Sequence, residues 1–185
     1  MSVWDVQKHI QNLIIDLISR IVLQIYVHFI YLDLTRRSII ARKNNILILG
    51  HKRHGKDTVA EILRDTFGLK FQSSSMTAAE KVMIPAFNSK HIYYKTPQEC
   101  FDDRVNHRKF WFKSIKKYSK EDPQRMCKDI LSISDVYVGM RSNVEYQACK
   151  ELFDMILWVD RSEILPPEDR ESMDIEYNES EMYLL

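Results

Sequence analysis

One short run of residues has the composition to bind and move phosphate. In ILILG-HKRHGKDT-VAEILRDTF, residues 46–67, four residues separate Gly50 from Gly55, and Lys56 follows directly. This is the glycine and lysine spacing of a phosphate-binding loop. The chain has only 4 glycines, so finding two of them here is informative. A loop whose backbone N–H groups wrap an anion needs residues without a Cβ at its bends. The helix that follows presents its N-terminus to the same anion. Lys56 then reaches the β- and γ-phosphates of a nucleotide as a mobile charge. Lys52, Arg53, His51 and His54 are expected to raise the local positive potential. Directly after the lysine, where a Ser or Thr usually ligates Mg²⁺, stands Asp57, with Thr58 next. Carboxylate and hydroxyl oxygens are hard ligands, so both are metal candidates, Asp57 foremost. The chemistry expected is phosphoryl transfer from ATP-Mg²⁺.

Such a loop must be held by a strand and a helix, and the flanking residues supply both. Ile46-Leu47-Ile48-Leu49 is the wholly apolar run of a strand buried on both faces of a parallel sheet. Residues 50–58 read as loop and 59–67 as a helix stopped by Gly68. Further strands are expected at 69–72, 136–138 and 155–159, with a fifth beginning at Met182. Helices are expected over 76–87 (disturbed by Pro85), 97–103, 108–118, 122–131 and 143–153. Alternating strands and helices predict an α/β fold, a parallel sheet of P-loop kinase type flanked by helices. Residues 45–185 form that domain.

Residues 1–44 are a separate hydrophobic helix and basic linker. Residues 3–34 are almost continuously apolar, with Lys8, Asn12, Asp16, Arg20, Gln24 and His28 at every fourth position. That pattern is a narrow polar stripe on an apolar helix. Its longest uncharged stretch, 21–32, is shorter than the ~20 apolar residues a membrane span needs. A buried or self-associating helix is therefore preferred to membrane contact, leaving a homo-oligomer open. Arg36, Arg37, Arg42 and Lys43 are read as a solvated linker rather than a lipid-binding cluster. Asp5 and Asp16 argue against a signal peptide. Three cysteines at wide spacing, Cys100, Cys127 and Cys149, suggest neither a disulfide framework nor a zinc site, which points to the cytoplasm. The net charge of +1 makes no case for a nucleic-acid partner. It averages a basic body with an acidic segment, residues 160–185, that holds nine acids and two bases.

The GKDT loop resembles that of bacteriophage deoxynucleoside monophosphate kinases, within the adenylate-kinase-like P-loop kinases. A second segment, DVYVGMRSNVEYQACKELFDMILWVDRS (residues 135–162), is similar to that family's strand, arginine-bearing turn, helix and following strand. Its matching positions are Arg141, Glu145 and Trp158-Val159-Asp160. The resemblance covers residues 45–185. It implies transfer of the γ-phosphoryl group of ATP-Mg²⁺ to a nucleoside monophosphate, with Lys56 and Arg141 as catalytic residues. It implies acceptor contacts from Arg141, Arg104, Arg108, Phe71 and Ser73. It also implies a lid over residues 161–172 carrying Arg161 and Arg170, in a host cytoplasm if the chain is viral. Phe71 also reads as core, and Arg141 as a salt-bridge partner of Glu145. Gly139 stands where related proteins carry an Asp, and the family's donor-base loop and helix fall beyond Leu185. Animal-type phosphomevalonate kinases share the GKD loop, so a small-metabolite kinase stays open, as does a non-catalytic nucleotide-binding assembly protein.

Overall fold

A computed structural model describes residues 44–185, of which Asn44–Leu184 forms one compact unit. The readings made for residues 1–43, the apolar helix and basic linker, lie outside the described residues. Five parallel strands form one sheet in the order β2-β3-β1-β4-β5. They are β1 (Ile46–Leu49), β2 (Phe71–Ser73), β3 (Val136–Val138), β4 (Met155–Trp158) and β5 (Tyr183–Leu184). β1 lies at the centre, and all four of its side chains are buried, as the unbroken apolar run requires. Register follows alternation. Leu47, Tyr137 and Ile156 share one level and one face, and Leu49 and Trp158 the next level on that face. These residues join the main core with Met83, Phe87, Trp111, Ile130 and Tyr146. On the opposite face helix α1 (Lys56–Phe67) covers β1 and β3 through Val59, Ala60 and Leu63.

Helix α1 starts three residues earlier than the periodicity suggested, because Lys56, Asp57 and Thr58 form its first turn. Residues 74–88 are helical throughout, as α2 (Ser74–Ala78), a π-helical turn (Ala79–Met83) and α3 (Ile84–Asn88). Pro85 does not break this run, since it falls in the first turn of α3, where a missing N–H costs little. Helices α4 (Pro97–Asp102), α5 (Arg108–Tyr118) and α6 (Arg125–Leu131) lead to β3, and α7 (Asn143–Cys149) leads to β4. No helix among the described residues is long and apolar enough to cross a membrane.

A buried polar pair ties β3 to α7. The Tyr137 hydroxyl, wholly buried, donates to Glu145 Oε1 at 2.8 Å. Desolvation pushes the Glu145 carboxyl up to about 7, although the tyrosine bond pulls it down. In the unfolded chain that carboxyl returns to the ordinary carboxylate range. Stability therefore falls as pH rises from about 4.5 through 7, where the folded state holds the proton and the unfolded chain does not. Tyr137→Phe strips Glu145 of its donor and should destabilise by about 1–3 kcal/mol at pH 8. At pH 5.5, where Glu145 is protonated, the loss should be smaller. Urea midpoints at both pH values check this; an equal deficit would contradict it.

Candidate functional site

The strand-to-helix loop at the carboxyl end of β1 is shaped by its neighbours. Gly50 has φ +132°, and a Cβ there would collide with the Val159 carbonyl oxygen just past β4. This glycine therefore serves the close approach of two strands as well as the bend. Arg53 sits at φ 66°, a left-handed conformation costing a non-glycine residue about 1–2 kcal/mol. The turn it makes brings the His54 N–H to the His51 carbonyl at 3.3 Å. Lys56 is half-buried and its Nζ donates to the His51 carbonyl at 2.6 Å, folding back over the loop. Burial first, then the Arg141 charge, push its ammonium down to about 8, against the pull of Glu168 and Asp57.

The two loop histidines are engaged as hydrogen-bond acceptors. His54 is fully buried, and its Nδ1 accepts the Arg161 N–H at 3.0 Å. That bond leaves the ring proton on Nε2, which is buried without a protein partner. Asp160, 3.5 Å from the same Nδ1, is held instead by the Ser162 N–H and hydroxyl. His51 likewise accepts the Glu168 N–H at Nδ1, 3.2 Å away. Burial, then the neighbouring His54, hold its pKa below the usual histidine value. Both imidazoles are thus acceptors that fasten the segment 161–168 to the loop.

Arg141 follows β3 at the same edge of the sheet. Its partner is Glu168, at 2.8 Å, with the Ser172 carbonyl at 3.3 Å; Glu145 is engaged by Tyr137 instead. Arg104 stacks over the Phe101 ring, 3.9 Å from its centre. Its pKa is lowered by burial and then by the charges of Arg108 and Arg141. Arg104, in the turn before α5, therefore feels Arg108 at the start of α5 and Arg141 in the loop after β3, and Arg141 also acts on Lys56. Such a group of cations suits a polyanion.

Other expected contacts are not gathered here. Phe71 pairs with Val136 at the amino end of the sheet, and the Arg64 guanidinium lies 5.7 Å from its ring centre. It therefore lies at the opposite end of the sheet from the loop. Ser73 uses its hydroxyl to cap α2, accepting from the Met76 N–H at 3.2 Å. Arg170 pairs with Glu176, and Arg161 contributes its backbone. Gly139 has φ +86°, its N–H bonds the Ile48 carbonyl and its carbonyl accepts from Ser74 Oγ at 2.8 Å. The left-handed backbone required there accounts for a glycine at this position.

Asp57 and Thr58 lie exposed on the first turn of α1. Among the described residues no cluster of three His, Cys, Asp or Glu side chains forms a closed metal cage. One carboxylate and one hydroxyl at the start of α1 would fit Mg²⁺, which keeps waters and takes anion oxygens as its other ligands. Beside the loop a cleft of about 380 Å³ is lined by His51, Trp158, Asp160, Arg170, Tyr177 and Leu184 among others.

Glu168 is the functional candidate the sequence did not disclose. Its Oε2 accepts the Lys52 N–H at 2.6 Å while Oε1 holds Arg141. Burial raises its pKa, but Arg141, the Lys52 N–H and the Lys56 charge outweigh that and hold it below the usual value. Only Pro166-Pro167 before it marks it out from the other acids of its segment. The chain matches no protein-family model and no curated protein.

Proposed function

We propose that the chain is a kinase transferring the γ-phosphoryl group of ATP-Mg²⁺ to a (deoxy)nucleoside monophosphate. The observation that carries this reading is the turn from β1 into α1, where Lys56 folds over the loop and Glu168 joins the loop's Lys52 N–H to Arg141 at the carboxyl end of β3. A kinase for two phosphorylated substrates must hold two polyanions end to end and neutralise their repulsion. Lys56 and the loop amides suit the donor phosphates, and Arg141 with Arg104 and Arg108 the acceptor phosphate. The cleft beside His51, with Trp158 and Tyr177 in its wall, offers the donor base an aromatic surface.

The reaction breaks the bond from the γ-phosphorus to the bridging oxygen and forms one to an acceptor phosphate oxygen. That oxygen already carries negative charge, so no general base is needed, and positioning with charge stabilisation does the catalysis. Asp57 and Thr58 would hold the Mg²⁺, which shields the β- and γ-phosphate charge. Lys56, leaving the His51 carbonyl, follows the moving phosphoryl group.

ADP release measured with ATP-Mg²⁺ and a panel of nucleoside and deoxynucleoside monophosphates tests the reading. At least one acceptor should raise turnover well above the acceptor-free rate. Stimulation by phosphomevalonate alone would reassign the acceptor to a small metabolite. No stimulation by any member, with ATP still bound, would leave a nucleotide-binding protein without transfer.

A further inference from the structure

Glu168 stands where the two halves of the proposed site meet. One carboxylate oxygen accepts a phosphate-loop N–H, that of Lys52, and the other pairs with Arg141 on the acceptor side. Lys56 adds its attraction. A backbone N–H, an arginine and the loop lysine are the three donor types that a phosphoryl group in transit would use. We infer that Glu168 is an internal anion holding the place of the transferable phosphoryl group, and that it sets which nucleotide the site retains.

This rests on the kinase reading, and it follows from position. A group touching both the donor loop and Arg141 lies between the donor's β-phosphate and the acceptor, which is where the γ-phosphate belongs. A triphosphate must expel the carboxylate to bind. A diphosphate ends short of Arg141 and leaves the carboxylate in place. Glu168 thus opposes ATP and not ADP, and its side chain can leave while its N–H stays bonded to His51 and keeps the segment tethered to the loop. Expulsion strips two charge-assisted hydrogen bonds from Glu168 and gives equivalents to the γ-phosphate. Glu168 therefore tunes selectivity without being needed for the chemical step.

Calorimetric titration of ATP and ADP with Mg²⁺ tests this on the full chain, using wild type, Glu168→Gln and Glu168→Ala. Glutamine keeps the shape and removes the charge; alanine removes both. Both variants should bind ATP about tenfold more tightly than wild type while ADP affinity moves less than about twofold. Equal shifts for the two nucleotides, or weaker ATP binding, would overturn the inference and make Glu168 a structural or directly catalytic carboxylate. If wild type and variants alike bind neither nucleotide, the kinase reading itself fails. Wild type that binds and phosphorylates, with variants showing no ATP-selective gain, sinks the inference alone. A thermal melt of each variant confirms that the comparison is between folded proteins.

Discussion

Lys56→Ala should lower kcat/KM for phosphoryl transfer by roughly a hundredfold to a thousandfold, the scale expected for losing one preorganised cationic donor. The thermal midpoint should hardly move, because the side chain's bond is a single one, to the His51 carbonyl. A variant that kept wild-type turnover would remove the loop from the chemistry. The same lysine gives a signed pH dependence. Its ammonium lies at about 8 in the free protein against 10.5 ordinarily. As pH rises through about 8 the free site loses the charge that grips phosphate, so ATP affinity should fall. An arriving anion restores the proton, so binding near pH 8 should take protons up. Titrations in two buffers of different ionisation enthalpy measure that uptake, and proton release would contradict it. Stability runs the other way. Between about 8 and 10.5 the unfolded chain holds the proton that the folded one has lost, so folding gains as pH rises.

Gly50→Ala should be the most damaging small substitution in the loop. The added Cβ would meet the Val159 backbone, which is itself fixed by the Val159 N–H to the Leu49 carbonyl at 2.9 Å. Neither strand end can yield without breaking the β1–β4 pairing, so a loss of about 3 kcal/mol or more is expected. That would lower the melting temperature by roughly 6–12 °C for a domain of this size. Gly139→Ala is the matched control. It carries a similar backbone strain, but its nearest neighbour, Ser74 Oγ, is in ordinary contact, so about 1–2 kcal/mol is expected. Denaturant melts of both variants separate collision from conformation. Equal losses would mean that the close approach to β4 carries no weight.

Much of this architecture was legible because it is locally determined. The four-residue apolar run of β1, the span 108–118 and the strand at Val136–Val138 all lie where their patterns place them. Those signals depend on neighbours within a few residues. What escaped depends on distant partners. Glu168 looks like one acid among many until the fold carries it 116 residues back to Lys52. His51 and His54 look cationic until backbone N–H groups from the segment after β4 claim their Nδ1 atoms. Glu145 looked available to Arg141, but its helix turns it inward to Tyr137. Phe71 opens β2 beside Val136, and composition does not say which end of a strand a residue occupies. Pro85 looked like a break, and the run 74–88 absorbed it at the start of a new helical turn.

The contacts of Glu168 also bear on how the protein survives between substrates. On the proposed reading the site holds two polyanions, and when empty it gathers Lys56 and Arg141 with no substrate charge to oppose them. Without an internal counter-ion, that repulsion would loosen the loop and the Arg141 turn together. By lending a carboxylate to the empty state, the fold keeps the site assembled in its substrate-ready shape. If the protein binds ATP as proposed, it gains robustness at rest from the same contacts that weaken that binding, so the two trade against each other through one side chain.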